Sequence, residues 1–486
     1  MTEEHGLPIV RACQAARFSR AAYYRPGVDW AARDAEVIAA ELAAPGEDTA
    51  RAVAALTSLG ALRTARDLVS LTVFPTQTVT EESVAVARDI AGRSFSVSAR
   101  RPCTDDPMGR FRACELEFVA GDYLDAQHHL AGDARPQRTY TLKATVWLPR
   151  SGAGPYRTLV YGHGLGGGRA QGQRLAEFAA PQGIATIAID AAVHGDHPLN
   201  PMPGAATLVT VLNFFTLNPG ASMAFDARAL RDHFRQSTYD KLQLVRLLQG
   251  GVDADGDGTN DLDAARLGYL GVSLGGIMGA EPLSLTDAFG AAVLVVPGGR
   301  VSAIISDSST FAPIILAFRP PGTTRGDVVR AFPLLQTLLD RGDAASYGPH
   351  VLADRLTPGG ARVTPSVLLG VVLDDDTVPN VSNYTLARAM GVSIVPPLLR
   401  AAPGLVTTTA PPLSGNAAMG RATAGLLQFD VVLNNGMPTR ATHSNVGASA
   451  VGAEAWLHFL STHWGRGLAE IDDPYRAVGL MHGAMP

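Results

Sequence analysis

Thr158–Gly172 reads TLVYGHGLGGGRAQG, and two incompatible folds compete for it. Gly162, Gly164 and Gly167 fit the G-x-G-x-x-G turn that cradles a dinucleotide's pyrophosphate, and Asp190 closes the later run IATIAID where a ribose-binding acid would sit. His163–Gly164 fits equally well a glycine turn that aims backbone N–H groups at an oxyanion forming beside a nucleophile. The rest of the chain has to decide.

Outward from this stretch, TLVYG and IATIAID are short continuous apolar runs, as in strands buried on both faces, with the helical RLAEFAAPQG between them. Upstream, SFSVSA and CELEFVA are strand-like, and RTYTLKATVWLPR alternates, with Tyr140, Leu142, Ala144 and Val146 on one face. Downstream come the amphipathic helix DKLQLVRLLQG, strand RLGYLGV, helix LGGIMGA, strands AAVLVVP, TPSVLLGVVL and LLQFDVV, and a last helix VGAEAWLHFLSTHW, with TTTAPPLSGN as a loop. Strands alternating with helices predict an α/β fold, a mainly parallel sheet with helices on both faces. Ahead of it, residues 30–66 are Ala-rich and helix-like and LVSLTVF is a short strand candidate. Thr78 with Glu81 makes a capping box for the helix TEESVAVARDIAG. Residues 1–92 thus read as a mostly helical accessory segment and 93–486 as the main domain.

A chain of 486 residues with 46% hydrophobic content can bury a large core. Its net charge of -5, with no basic cluster, excludes the electrostatic footprint of a nucleic-acid binder and points to a small or neutral partner. No apolar run is long enough to span a bilayer. MTEEHGLPIVRACQ has acidic residues where an export signal would be basic, which reads as a chain without such a signal. Cys103 and Cys114 flank a hairpin-like segment; they are either a disulfide, implying an oxidising compartment, or two separate buried thiols, with Cys13 left over.

Chemistry concentrates at GVSLGG, where Gly271-Val-Ser273-Leu-Gly275 is a G-x-S-x-G. The pentapeptide alone is a weak signal, but a strand runs into it and a small-residue helix runs out, as a nucleophile elbow requires. A serine hydroxyl is a poor nucleophile near neutral pH, so Ser273 needs a histidine to take its proton and a carboxylate to orient that histidine. His350, His443, His458, His463 and His482 follow it in the chain, and DDDTVPN, at the end of strand SVLLGVVL, offers Asp374, Asp375 and Asp376.

YGHGLGGG, LGVSLGG, DDDTVP and ATHSN, spanning Tyr161 to Asn445, together resemble the bacterial esterase and lipase branch of the α/β-hydrolase superfamily. The resemblance covers roughly residues 93–465. It implies the chain order nucleophile, acid, base, and an acid within D-x-x-V-P, which selects Asp375. His350 precedes that acid and drops out, while His443 sits in the loop TRATHSN between last strand and last helix, where this fold presents its base. The implied oxyanion donors are the N–H groups of Leu165 and Leu274, and Asp190 becomes an ordinary strand-end residue. The resemblance therefore implies a serine hydrolase of small or lipid-like apolar esters that needs no cofactor for catalysis, with two alternatives: a serine peptidase on the same fold, or a catalytically silent calcium-dependent binding module on that scaffold. LTVFPTQTVT, Leu71–Thr80, is similar to a segment ahead of the hydrolase domain in exported bacterial lipase-like proteins, which favours export.

Two accessory features remain. DADGDGTNDLD places Asp253, Asp255, Asp257, Thr259 and Asp261 at positions one, three, five, seven and nine of an EF-hand-like loop, with Ala264 where the bidentate Glu belongs. It reads either as a structural calcium site or as a solvated acidic loop. Insertions at 195–235, with Phe214 and Phe215, and at 299–350, with Phe311 and Phe318, read as helical lids over an acyl site or as extra core.

Overall fold

The computed structural model describes residues 77–217, 225–317, 322–361, 363–434 and 436–483, together with 54 and 57. The helices expected at 30–66 and the strand LVSLTVF fall outside the described residues, apart from those two isolated positions. The chain divides into two compact units, Met1–Gln77 and Thr78–Pro486, and the second carries the sheet.

The sheet strands are β1 (Val97–Asp105), β2 (Phe111–Asp122), β3 (Arg138–Pro149), β4 (Tyr156–Gly162), β5 (Ile184–Ile189), β6 (Leu262–Val272), β7 (Phe289–Val295), β8 (Ser366–Val372) and β9 (Ala424–Phe429). Their order is β1-β2-β3-β5-β4-β6-β7-β8-β9. β5 through β9 run parallel in that order, while β1, β2 and β3 form an antiparallel edge that joins β5. Cys103 on β1 and Cys114 on β2 are joined in a disulfide, which closes the choice left open by their spacing.

Because side chains alternate along a strand, a sheet buried on both faces needs two cores. In β8, Val367, Leu369 and Val371 enter one, and Leu368 and Val372 enter the other. The helices that frame the site are α1 (Glu81–Ala91), α2 (Gly172–Ala179), α3 (Thr207–Phe214), α4 (Ala227–Gln249), α5 (Leu274–Ile277), α6 (Arg325–Leu339), α7 (Asn380–Met390) and α8 (Ala450–Arg466). α2 and α8 supply the core on one face, while α3, α4 and α7 contribute to the core on the other.

Three sequence expectations change. α1 forms, but Thr80 takes the N-cap position without a side-chain bond, so the Thr78–Glu81 box is not made. This helix lies inside the unit that starts at Thr78, ahead of the boundary read near Gly92. Ser83 on α1 donates to Glu281 at 2.7 Å and accepts from Tyr347 at 2.8 Å, in a buried network reached from α4 by Tyr239 and Arg235. Finally, α4 starts well before Asp240. Its first turns, with Leu230, Asp232, Phe234 and Arg235 buried, are scaffold and not the end of an insertion at 195–235.

Candidate active site

β6 delivers Ser273 at a backbone turn of φ 55° and ψ -116°, an unusual conformation for a residue with a side chain. Such a tight reversal brings backbone against backbone. A Cβ on Gly271 would lie 2.2 Å from the Gly275 carbonyl oxygen, and one on Gly275 would lie 2.1 Å from that of Gly162. The glycines of the pentapeptide are thus fixed by packing between β6, α5 and β4.

His443 Nε2 lies 2.8 Å from Ser273 Oγ, and His443 Nδ1 lies 2.8 and 2.9 Å from the two Asp375 oxygens. With Nδ1–H donating to the carboxylate, Nε2 carries the free lone pair that accepts the serine hydroxyl. Asp375 Oδ1 also accepts the N–H groups of Thr377 and Val378, both at 2.9 Å, so its carboxylate is aimed by its own turn while Val378 is buried in the core. Its neighbours face elsewhere. Asp374, at φ 54°, pairs with Arg400 and Arg440, and the Asp376 side chain accepts from the Thr377 hydroxyl.

The strand expected as LLQFDVV breaks at Asp430, whose N–H bonds to the Tyr475 hydroxyl. Val431–Asn434 then pairs with Met437–Arg440 as a separate hairpin. That hairpin ends just before Thr442–Asn445, where Asn445 accepts from the Thr442 N–H and donates to the Arg440 carbonyl. The histidine of this turn is the one that reaches Ser273. Among the other histidines that follow Ser273 in the chain, His458 meets Glu470, His482 meets Asp430, and His463 is held below the usual imidazole range by burial.

The opening glycine stretch lies alongside. His163 is buried; its Nδ1–H donates to the Gly164 carbonyl, its Nε2 accepts from the Ala191 N–H, and its own carbonyl accepts from Gly275 N–H, each at 2.9 Å. Burial holds this imidazole below its ordinary pKa, in keeping with a neutral ring that donates at one nitrogen and accepts at the other. Gly164 lies beside Ser273, with its Cβ direction 3.6 Å from the serine Cβ. A Cβ on Gly166, at φ 71°, would meet Thr207 of α3, and one on Gly168 would meet Asp190. Asp190 is more than an ordinary strand-end residue: it accepts from the Arg169 N–H and guanidinium and from the Asp196 N–H, clamping two loops.

The insertions reach the site from two sides. α3 packs on Gly166, and Ser308, Ser309 and Thr310 donate to the Asp376 carbonyl beside the acid. Phe215 and Phe311 join them, ring centroids 5.7 Å apart.

Of the calcium candidates, Asp253, Asp255 and Asp261 lie within 4.8 Å of one another. Asp257 and Thr259 do not join them, because Asp257 turns to accept from the Thr259 N–H and hydroxyl. Both Asp253 oxygens accept loop N–H groups, and Arg112 pairs with Asp255 at 3.0 Å. Three of the five expected ligands therefore converge, with oxygens that are already partly engaged by loop N–H groups and Arg112.

Strand order, the sharp turn after β6, and the placement of Asp375 and His443 after β8 and β9 are those of the α/β-hydrolase fold. No protein-family profile matches the chain. No curated protein matches it either. Among solved structures, it is similar to an acetyl xylan esterase from Paenibacillus sp. R4, at 16% identity over 80% of this chain and 96% of that one, with TM-score 0.48. Acetyl xylan esterase 1 from Thermoanaerobacterium sp. JW/SL YS485 gives 14% identity, 69% and 89% coverage and TM-score 0.42. The acylaminoacyl peptidase of Pyrococcus horikoshii gives 11% identity, 72% and 48% coverage and TM-score 0.38. No helix among the described residues is long and apolar enough to cross a membrane.

Proposed function

We propose that this chain is a serine hydrolase of uncharged carboxylic esters. The observation that carries the reading is the unbroken line from Ser273 Oγ to His443 Nε2 and from His443 Nδ1 to Asp375, with the serine on a strained turn at the end of β6. Ser273 attacks the ester carbonyl as His443 takes its proton. The imidazolium, stabilised by Asp375, then protonates the leaving alkoxide, and an alcohol departs. Water activated by the same imidazole hydrolyses the acyl-enzyme.

The oxyanion is assigned to the N–H groups of Leu165 and Leu274. Leu274 is the first residue of α5, where an N–H has no carbonyl within the helix to bond. The Leu165 N–H points opposite the Gly164 carbonyl across a trans peptide, and that carbonyl is held by His163 and the Gly167 N–H. The preference for an apolar acyl or alcohol group rests on the apolar insertions, with Phe215 and Phe311, that reach the loops around the site, and the Cys103–Cys114 bridge favours an oxidising compartment.

The test is a p-nitrophenyl ester panel of increasing acyl length on wild type and Ser273→Ala, beside matched p-nitroanilides and a fluorophosphonate label. Wild-type ester turnover that Ser273→Ala loses supports the reading. Turnover undiminished in Ser273→Ala removes it, and faster cleavage of the anilides moves the assignment to a peptidase.

A further inference from the structure

The loop that would supply one oxyanion donor turns on a residue with two soft dihedrals and no side chain to restrict them, Gly164. Its orientation is therefore set by whatever holds the peptide planes on either side. The plane after it is held by two donors to the Gly164 carbonyl, His163 Nδ1 at 2.9 Å and the Gly167 N–H at 3.1 Å. The plane before it is held at its carbonyl end, where His163 accepts the Gly275 N–H at 2.9 Å, and at its other end by the Gly164 N–H, which donates to the side-chain carbonyl of Gln171 at 3.3 Å.

Gln171 stands in the helical turn Arg169–Gln171 that runs into α2, and its amide folds back over the glycine run. A Cβ on Gly167 would lie 2.4 Å from both the nitrogen and the oxygen of that amide, so the side chain occupies the space a residue larger than glycine would fill. Gly167 is outside the left-handed region, so its backbone conformation does not by itself demand glycine. A Cβ there can be accommodated only if the Gln171 amide moves away. The Cβ direction of Gly164 points at both the Ser273 Cβ, 3.6 Å away, and the Gln171 side-chain oxygen, 4.0 Å away, which places the amide on the rim of the site.

We propose that Gln171 is a positioning residue for the oxyanion loop: by accepting the Gly164 N–H it adds a second anchor to the plane that Gly275 holds at the His163 carbonyl, and so fixes the turn at Gly164 from which the Leu165 N–H is aimed at the oxyanion beside Ser273. Nothing in the motif requires glutamine at this place, and the role rests on the serine-hydrolase reading above. Gly167 belongs to the same device, because glycine there is what lets the amide lie down.

The test uses the full-length protein and two variants that reach the same end by different routes. Gln171→Met removes the acceptor at nearly constant length. Gly167→Ala leaves the acceptor present but pushes the amide off the loop. Each is expected to lower kcat on a short-chain p-nitrophenyl ester by about tenfold, less than the hundredfold or more that losing an oxyanion donor costs. KM and the thermal midpoint should stay near wild type, because Gln171 is exposed. The double variant should fall no further than either single one, since both remove one interaction. Wild-type kcat in Gln171→Met, or losses that multiply in the double variant, would overturn the proposal while leaving the serine-hydrolase reading intact. Wild type that neither turns over an ester nor takes a fluorophosphonate label sinks the reading of the site, and this inference with it.

Discussion

His194 gives the protein an acid weakness that can be worked out in advance. Its ring is fully buried, 5.2 Å from the His163 ring and 5.1 Å from Phe214 by centroid, with Nδ1 bonded to the Ala192 carbonyl and Nε2 without a partner among the described residues. Burial pulls its pKa from 6.5 down to about 3. His233 is likewise pulled from 6.5 to about 4 by burial. For an imidazole whose folded pKa is depressed, the unfolded chain binds more protons between the two values. The stabilisation is then complete above pH 6.5 and is lost as pH falls through that value toward the folded pKa. At pH 5, above both folded values, the loss from each ring is about 2 kcal/mol and from the two together about 4 kcal/mol relative to neutral pH. Urea unfolding followed by tryptophan fluorescence, at pH 7.5 and 5.0, reads this in wild type and in His194→Leu. Buried carboxyls whose pKa is raised by burial, such as Glu281, act with the opposite sign but equally in both proteins, so they cancel in the comparison. The expected result is that His194→Leu loses about 2 kcal/mol less than wild type on acidification. An equal loss in both proteins would refute the reasoning, because it would mean that His194 is solvated and titrates normally in the folded state.

Asp375→Asn should lower kcat on the order of 10⁴-fold by removing the acceptor that fixes the His443 tautomer, with little change in KM. Asp376→Asn should stay near wild type, because the Asp376 side chain serves only the Thr377 hydroxyl among the bonds seen here; a large loss there would move the acid. Cys103→Ala with Cys114→Ala should cost the β1–β2 edge about 3 kcal/mol of unfolding free energy, from the closure of a loop of sequence separation 11, with kcat preserved. Urea unfolding and ester turnover on the same preparation check both halves. EDTA should leave the thermal midpoint unchanged, since Arg112 and the loop N–H groups already serve the acids at 253 and 255; a drop reversed by calcium would contradict this.

The parts of the site that were legible in the sequence are those where chemistry and close packing act over a few residues. Gly271 and Gly275 are demanded by contacts shorter than any Cβ could tolerate, and the acid turn needs a valine three residues after Asp375 to anchor it in the core. α4 was half hidden for the opposite reason. Asp232, Arg235, Gln236 and Asp240 are buried, so its first turns look solvent-facing in sequence. Their partners include Glu82, the Gly121 carbonyl and Tyr140, more than a helix length away in the chain, and no local pattern announces them. The break after Phe429 is likewise set from afar, by Tyr475 and His482 closing on Asp430.

Gln171 shows the same limit at the site itself. An exposed glutamine has no signature, and the mark it leaves is a glycine four residues earlier. That also resolves why TLVYGHGLGGGRAQG fits two folds. A pyrophosphate cradle and this turn both forbid side chains where something must come close, so both select glycine at the same spacing. They differ in what the backbone N–H groups do. A phosphate needs them unspent, whereas here Gly164 N–H goes to Gln171, Gly167 N–H to the Gly164 carbonyl and Arg169 N–H to Asp190. The acid that would have held a ribose is spent on Arg169. The glycine pattern therefore records only that close approach occurs, and the groups that approach, a serine, a helix, an amide and a carboxylate, are what exclude the nucleotide.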